Sequence, residues 1–306
     1  MIKSITTTNY LGESIKLDLT RPEQSGFIVK KVDGLGPVKA NINVVEISTN
    51  DGGIFNSARR GIRNPVLYLQ FLDNEKESIE DIRHKSYRYW PETKQVELTM
   101  ETDNRISKTV GYVEHNDPAI FDKAEGCIIS IICPYPHLYS AGENGKRTTI
   151  FYGVEPMFEF PFSNESLGEN LLEMGEIQNQ TEKVIVYDGD SEIGVTITIH
   201  AIGEASNITI YNTGTREIMS INTDKIAAYT GSGIIAGDDI VISTVKGAKS
   251  ITLIRAGKST NILNCLDKNP NWFSLTKGDN IFAYTAESGE SNLQFKIENE
   301  IIYEGV

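Results

Sequence analysis

The chain has 306 residues, of which 39% are hydrophobic and 23% charged, and a net charge of −13. That length allows two domains, each with its own core, and that composition excludes a disordered chain. No stretch approaches the roughly 18 apolar residues of a membrane-spanning helix, and MIKSITTTNYLGES has no apolar core of signal-peptide type, so cytoplasmic synthesis without membrane insertion is expected.

SIKLDL and GFIVKKVDGLG open the chain as short strands punctuated by Pro22, Gly34 and Gly36. In VKANINVVEISTNDGGIFNSARRGIRNPVLYLQFL two alternating runs flank Asn50-Asp51-Gly52-Gly53, whose tolerance of positive φ predicts a long hairpin or strand–loop–strand. SIEDIRHKSYRYW predicts the first half's single helix, Ser78 to Trp90. Ser78 caps it, Glu80 and Asp81 suit its N-terminus, Ile79, Ile82, Tyr89 and Trp90 share a side, and Pro91 ends it. Strands KQVELTMET, SKTVGYVEHND and GCIISIICPYPHLYS follow.

The proline-rich and glycine-rich stretch CPYPHLYSAGENGKRTT marks a boundary near residue 140, giving domains 1–140 and 141–306. Charge is uneven across it: residues 1–140 hold 17 Lys+Arg against 19 Asp+Glu, residues 141–306 hold 12 against 23. So acidic a second half repels phosphate backbones, which argues against specific nucleic-acid binding. Turns recur there about every 8 to 12 residues, the pattern of an antiparallel sandwich, with no helix-period run. In GDDIVISTVKGAKSITLI the alternation of Ile240 and Ile242, then Ile251 and Leu253, around Lys246-Gly247-Ala248-Lys249 predicts a tight hairpin.

Motifs that imitate active sites fail on spacing. DGDSEI, residues 188–193, starts like a calcium loop but lacks glycine at its sixth position and has Ile199 where the bidentate glutamate belongs. GENGKRTT, residues 142–149, is too short between Gly142 and Gly145 for a phosphate loop. His84, His115, His137 and His200 stand apart, without metal-binding spacing. Cys127, Cys133 and Cys265 read as buried apolar thiols, the first two being roughly 20 Å apart along one strand. No catalytic residue, cofactor or metal is expected.

Three features stay open. Glu155 and Glu159 could flank a glycosidic bond, although Pro156 and Pro161 disrupt their strand. Trp272, followed by Phe273, is either core or interface, or else a sugar-stacking platform. SARRGIRNP, residues 57–65, the one dense basic cluster, is either a solvated loop or a contact through Arg59, Arg60 and Arg63 with an acidic neighbouring subunit.

The order DGLGPVKANIN, DGGIFNSARRGIRNPVLYLQF, SIEDIRHKSYRYWPETKQVELTMETD and YVEHNDPAIFDKAEGCIISIICPYP resembles the N-terminal domain of distal tail (Dit) proteins of tailed bacteriophages. NLLEMGEIQNQTEKVIVYDGDSEIGVTITIHAIG, GDDIVISTVKGAKSITLIRAGKSTNILNCLD and WFSLTKGDNIFAYTAESG are similar to the matching C-terminal domain, so the resemblance runs through the chain. It implies a mainly β protein: a tail-tube-like β-sandwich or split barrel with one helix, then a galectin-like antiparallel sandwich. It further implies a non-enzymatic virion subunit of a homo-hexameric ring, whose partners are the tail tube protein, the tail hub protein and receptor-binding components. Ring contacts at Arg59, Arg60 and Arg63 follow from the same resemblance. A carbohydrate-binding module using Trp272 is the competing expectation.

Overall fold

A computed structural model describes residues 1–46, 51–74, 77–121, 124–142, 145–155 and 176–306. Asn50 and Glu159 lie outside them. The chain divides into two compact units, Met1–Gly145 together with Ile302–Val306, and Lys146–Ile301.

Unit 1 contains β1 (Ile2–Asn9), β2 (Ser14–Asp18), β3 (Phe27–Asp33), β4 (Ala40–Glu46), β5 (Gly53–Arg60), β6 (Val66–Phe71), helix α1 (Ile79–Tyr89), β7 (Gln95–Thr102), β8 (Ile106–Ala119), β9 (Gly126–Ile132) and β10 (Leu138–Ser140). The main sheet is antiparallel, in the order β2-β1-β7-β8-β9-β6-β3, with β10 added on β8. Because β2 and β3 stand at opposite ends of that order but are joined only by residues 19–26, the sheet has to curl back on itself. Alternation along the strands sends Ile5, Leu17, Leu67, Leu98, Met100, Ile129 and Ile131 into the enclosed core. The sequence expectation for α1 holds in detail. Ser78 and Asp81 form a reciprocal capping box, and Ile82 and Trp90 are buried, Trp90 meeting Phe27 edge-on at 5.4 Å.

Unit 2 contains β11 (Lys146–Ile150), β12 (Tyr152–Glu155), β13 (Glu176–Asn179), β14 (Glu182–Tyr187), β15 (Ile193–Gly194), β16 (Thr196–Ala201), β17 (Ser206–Asn212), β18 (Glu217–Ile221), helix α2 (Thr223–Thr230), β19 (Asp239–Ser243), β20 (Ser250–Arg255), β21 (Lys258–Asn261), β22 (Ser274–Leu275), β23 (Gly278–Ser288) and β24 (Leu293–Glu300). A six-stranded sheet, β11-β24-β16-β19-β20-β21, packs on a four-stranded one, β14-β23-β17-β18, and Tyr284 of β23 stacks on Phe295 of β24 with ring centres 3.8 Å apart. The short ribbons β12–β13 and β15–β22 complete the unit. The edge of β18 is covered by the loop after β21, since Asp267 and Asn271 donate their backbone N–H groups to the carbonyls of Ser220 and Ile218.

Strands β19 and β20 form the hairpin expected around Lys246–Lys249, with Ile240 opposite Leu253, Ile242 opposite Ile251, and Gly247 at φ +87°. Helix α2 corrects the all-β expectation for the second half. Its eight residues are too few to produce a visible helical period, but Asn222 caps its N-terminus and left-handed Gly231 its C-terminus.

Asp238, which precedes β19, is buried, and its carboxylate accepts from Arg255 Nε at 2.8 Å and from Arg255 Nη2. Arg255 also donates to Ser232 Oγ at 2.7 Å and to Gly233 O at 2.6 Å, so this pair ties the α2–β19 loop to β20. Removing the acid strands a mostly buried cation. Asp238→Ala is therefore expected to destabilise unit 2 by about 3 kcal/mol in urea unfolding.

Candidate assembly surface

Strands β4 and β5 leave the body of unit 1 as a separate two-stranded ribbon, and every residue of both strands is exposed. The ribbon is nevertheless apolar: Ile42 and Phe55 are each 63% exposed, and Val44, Val45 and Ile54 are also open. Its register pairs Ile42 with Ala58, skips Asn56, then pairs Val44 with Phe55 and Val45 with Ile54. Strict alternation would turn Phe55 away from Ala58, so the bulge at Asn56 is what returns Phe55 to the face of Ile42, Val44 and Ala58. One side is thus continuously apolar. The other carries Asn41, Asn43, Ser57 and Arg59 nearer the root.

The sheet edges of unit 1 have the opposite character. Edge strand β3 carries Lys30 and Lys31 beside a bulge, and edge strand β2 is only five residues long. Charged, irregular or short edges discourage pairing with another chain, whereas an exposed apolar ribbon invites burial.

The three arginines expected at an interface separate. Arg59 is exposed on the ribbon. Arg60, at its root, pairs with the Glu304 carboxylate and lies 3.4 Å from His137 Nε2. Arg63 is 1% exposed, so the structure places it inside unit 1 rather than on a surface. Its guanidinium donates to four carbonyls, Pro136 O at 2.8 Å, Gly34 O at 2.7 Å, Gly36 O at 2.8 Å and Glu304 O at 2.7 Å. Burial lowers the pKa of this side chain from its ordinary value. Gly34 makes the convergence sterically feasible, because at φ +77° a Cβ would stand 2.1 Å from Asn64 O.

The remaining sequence candidates are dispersed. Trp272 is half-buried with Lys249 Nζ 5.2 Å from its ring centre, which leaves at most one face for a sugar, and Phe273 is buried edge-on against Phe282. On the structural reading, retention on a glycan array is expected to be the same for the parent chain and Trp272→Ala. Asp188 of the calcium-like turn pairs with Arg147 at 2.9 Å. His200 pairs with Asp239 at 2.7 Å across β16 and β19. Among the described residues no group of three or more His, Cys, Asp or Glu is placed to hold a metal ion, and no helix is long and apolar enough to cross a membrane.

All three cysteines are free and buried, and desolvation pushes the Cys127 thiol up to about 12 and raises those of Cys133 and Cys265. Native protein at pH 8 is expected to resist alkylation by iodoacetamide, and unfolded protein to take up three labels by mass spectrometry.

No family model matches the chain, and no curated protein matches it. Among solved structures it is similar to the crystal structure of the Dit (gp 19.1) protein of phage SPP1, described as a paradigm of the hub adsorption apparatus in phages that infect Gram-positive hosts. The TM-score is 0.64 at 12% identity over 97% of this chain and 98% of that one. Chains of the phage p2 baseplate in its activated conformation with Sr and with Ca match at TM-scores of 0.43 and 0.42, each at 12% identity, over 97% and 98% of this chain and the same shares of those. Over nearly its whole length, with two β units and an apolar ribbon standing clear of the first, the chain has the fold of a phage distal tail protein.

Proposed function

We propose that the protein is a structural, non-enzymatic subunit of the distal tail hub of a phage virion. In this reading copies close into a homo-hexameric ring through unit 1, the ring joins the tail tube protein to the tail hub protein, and the galectin-like second unit faces the receptor-binding components. The observation that carries it is the β4–β5 ribbon, whose exposed apolar side is costly in water and becomes favourable once a second copy covers it. A closed ring needs two unlike surfaces on each subunit, one that projects and one that receives, and a ribbon is suited to be the projecting one. Fold similarity to the SPP1 protein supports the same reading. DNA passing through such a ring would be repelled rather than gripped by a chain of net charge −13.

Light scattering after size exclusion at two concentrations tests the reading directly. The expected native mass is about six times the 34.0 kDa of the chain, with annular particles in negative stain. A 34.0 kDa species at both concentrations, with no change on adding a tail tube protein, would remove the ring.

A further inference from the structure

The segment Ile302–Val306 follows unit 2 in the chain yet belongs to unit 1. Ile302 and Tyr303 pair antiparallel with β10, and the Val306 N–H donates to Leu35 O at 3.2 Å. The Tyr303 ring lies beneath the Arg105 guanidinium at 4.4 Å. Glu304 contributes twice at one place: its carbonyl accepts from buried Arg63, and its carboxylate holds Arg60.

Those contacts fall on the root of the apolar ribbon. Gly34 and Gly36 lead into β4, Arg60 ends β5, Arg63 follows it, and the Gly61 N–H donates to Lys39 O at 3.3 Å to close the root. The described residues of the ribbon are all exposed, so its direction is set by how its two legs are held. One guanidinium, that of Arg63, grips the incoming leg at Gly34 and Gly36 while its own backbone continues the outgoing leg, and Glu304 completes the shell of that guanidinium.

We propose that Ile302–Val306 is a strap that sets the direction of the β4–β5 ribbon, so that the ribbon is held ready to dock only after the chain has run through unit 2 and returned. The consequence for assembly rests on the ring reading above; the local anchoring does not. Unit 2 is thereby an insertion within unit 1, and a chain interrupted in unit 2 presents a ribbon with loose legs. Such coupling keeps incomplete subunits out of a ring whose second unit has its own docking role.

Amide hydrogen exchange and native mass, measured on the full chain, on a chain ending at Ile301, on Glu304→Arg and on the swap Arg60→Glu/Glu304→Arg, test the strap. Ending the chain at Ile301 is expected to speed exchange at residues 34–39 and 61–63 by more than about tenfold while β6 and β9 keep their protection. Glu304→Arg, which leaves the backbone contacts in place, is expected to give about fivefold, because the ion pair is part-exposed, and the swap to restore protection. Native mass is expected to follow the same order. Unchanged exchange at the legs in the chain ending at Ile301 would overturn the strap. Faster exchange with undiminished ring mass would overturn its control of assembly. If the full chain never self-associates, the ring reading fails while the exchange arm still decides the anchoring.

Discussion

On the proposed ring reading, a chain carrying Val44→Asp and Phe55→Asp is expected to run as a 34.0 kDa monomer at concentrations where the parent chain self-associates. Both side chains sit on the continuous apolar side of the β4–β5 ribbon and are exposed in the single subunit. Covering one such side chain contributes roughly 1.5–3 kcal/mol, and forcing a carboxylate into the same dry contact costs several more, so two replacements weaken each contact by on the order of a thousandfold or more. The contact recurs at every subunit of a ring. Because neither side chain touches the core, the melting temperature and circular dichroism of the monomer are expected to match the parent, surface replacements away from special features staying within about 0.5 kcal/mol. A variant that keeps its ring would show that the ribbon lies outside the subunit contact. Arg59→Glu tests the polar side of the ribbon, with a smaller, salt-dependent loss expected if that side meets an acidic neighbour.

Arg63→Met is expected to destabilise unit 1 by about 3 kcal/mol or more. The methionine fills much of the volume but strips the part-buried carbonyls of Gly34, Gly36, Pro136 and Glu304 of a charged donor, a hydrogen bond to a charged group contributing about 1.5–3 kcal/mol before water and relaxed loops replace it. Arg63→Lys is expected to recover little, since an ammonium on a flexible stem cannot reproduce a planar fork aimed at four acceptors. The chain has two tryptophans, Trp90 in unit 1 and Trp272 in unit 2, so fluorescence in a Trp272→Phe background reports unit 1 alone. Urea unfolding followed through Trp90 is expected to show the loss, and an unchanged midpoint would mean that the carbonyls find water instead.

Much of the architecture is local and was readable as such. The Ser78 cap, the acids after it and Pro91 delimit α1 without outside help, and the alternation on either side of Lys246–Lys249 suffices for the β19–β20 hairpin. Helix α2 was missed because one and a half apolar repeats cannot be told from a strand and a turn, though Asn222 and Gly231 carry a usable capping signal. The arginine cluster was legible as a cluster but not as three roles. Arg59, Arg60 and Arg63 look alike in SARRGIRNP, and what separates them is a carbonyl and a carboxylate at Glu304, 241 and 244 residues further along the chain.

The amino-acid sequence by itself determined the elements: where strands alternate, where turns allow positive φ, where α1 starts and stops, and that 306 residues suffice for two cores. Those properties depend on residues within a few positions of each other. Tertiary structure alone decided which apolar faces are covered. Ile42 and Val44 alternate as convincingly as Ile240 and Ile242, yet the first pair stands in water and the second is buried. Alternation records that a face is meant to be covered, whereas the cover, whether the same chain or another, is a property of what folds above it. The return of Ile302–Val306 to unit 1 was beyond local reading for the same reason, since its partners at Leu35, Arg60, Arg63 and Leu138 meet it only when the whole chain has folded.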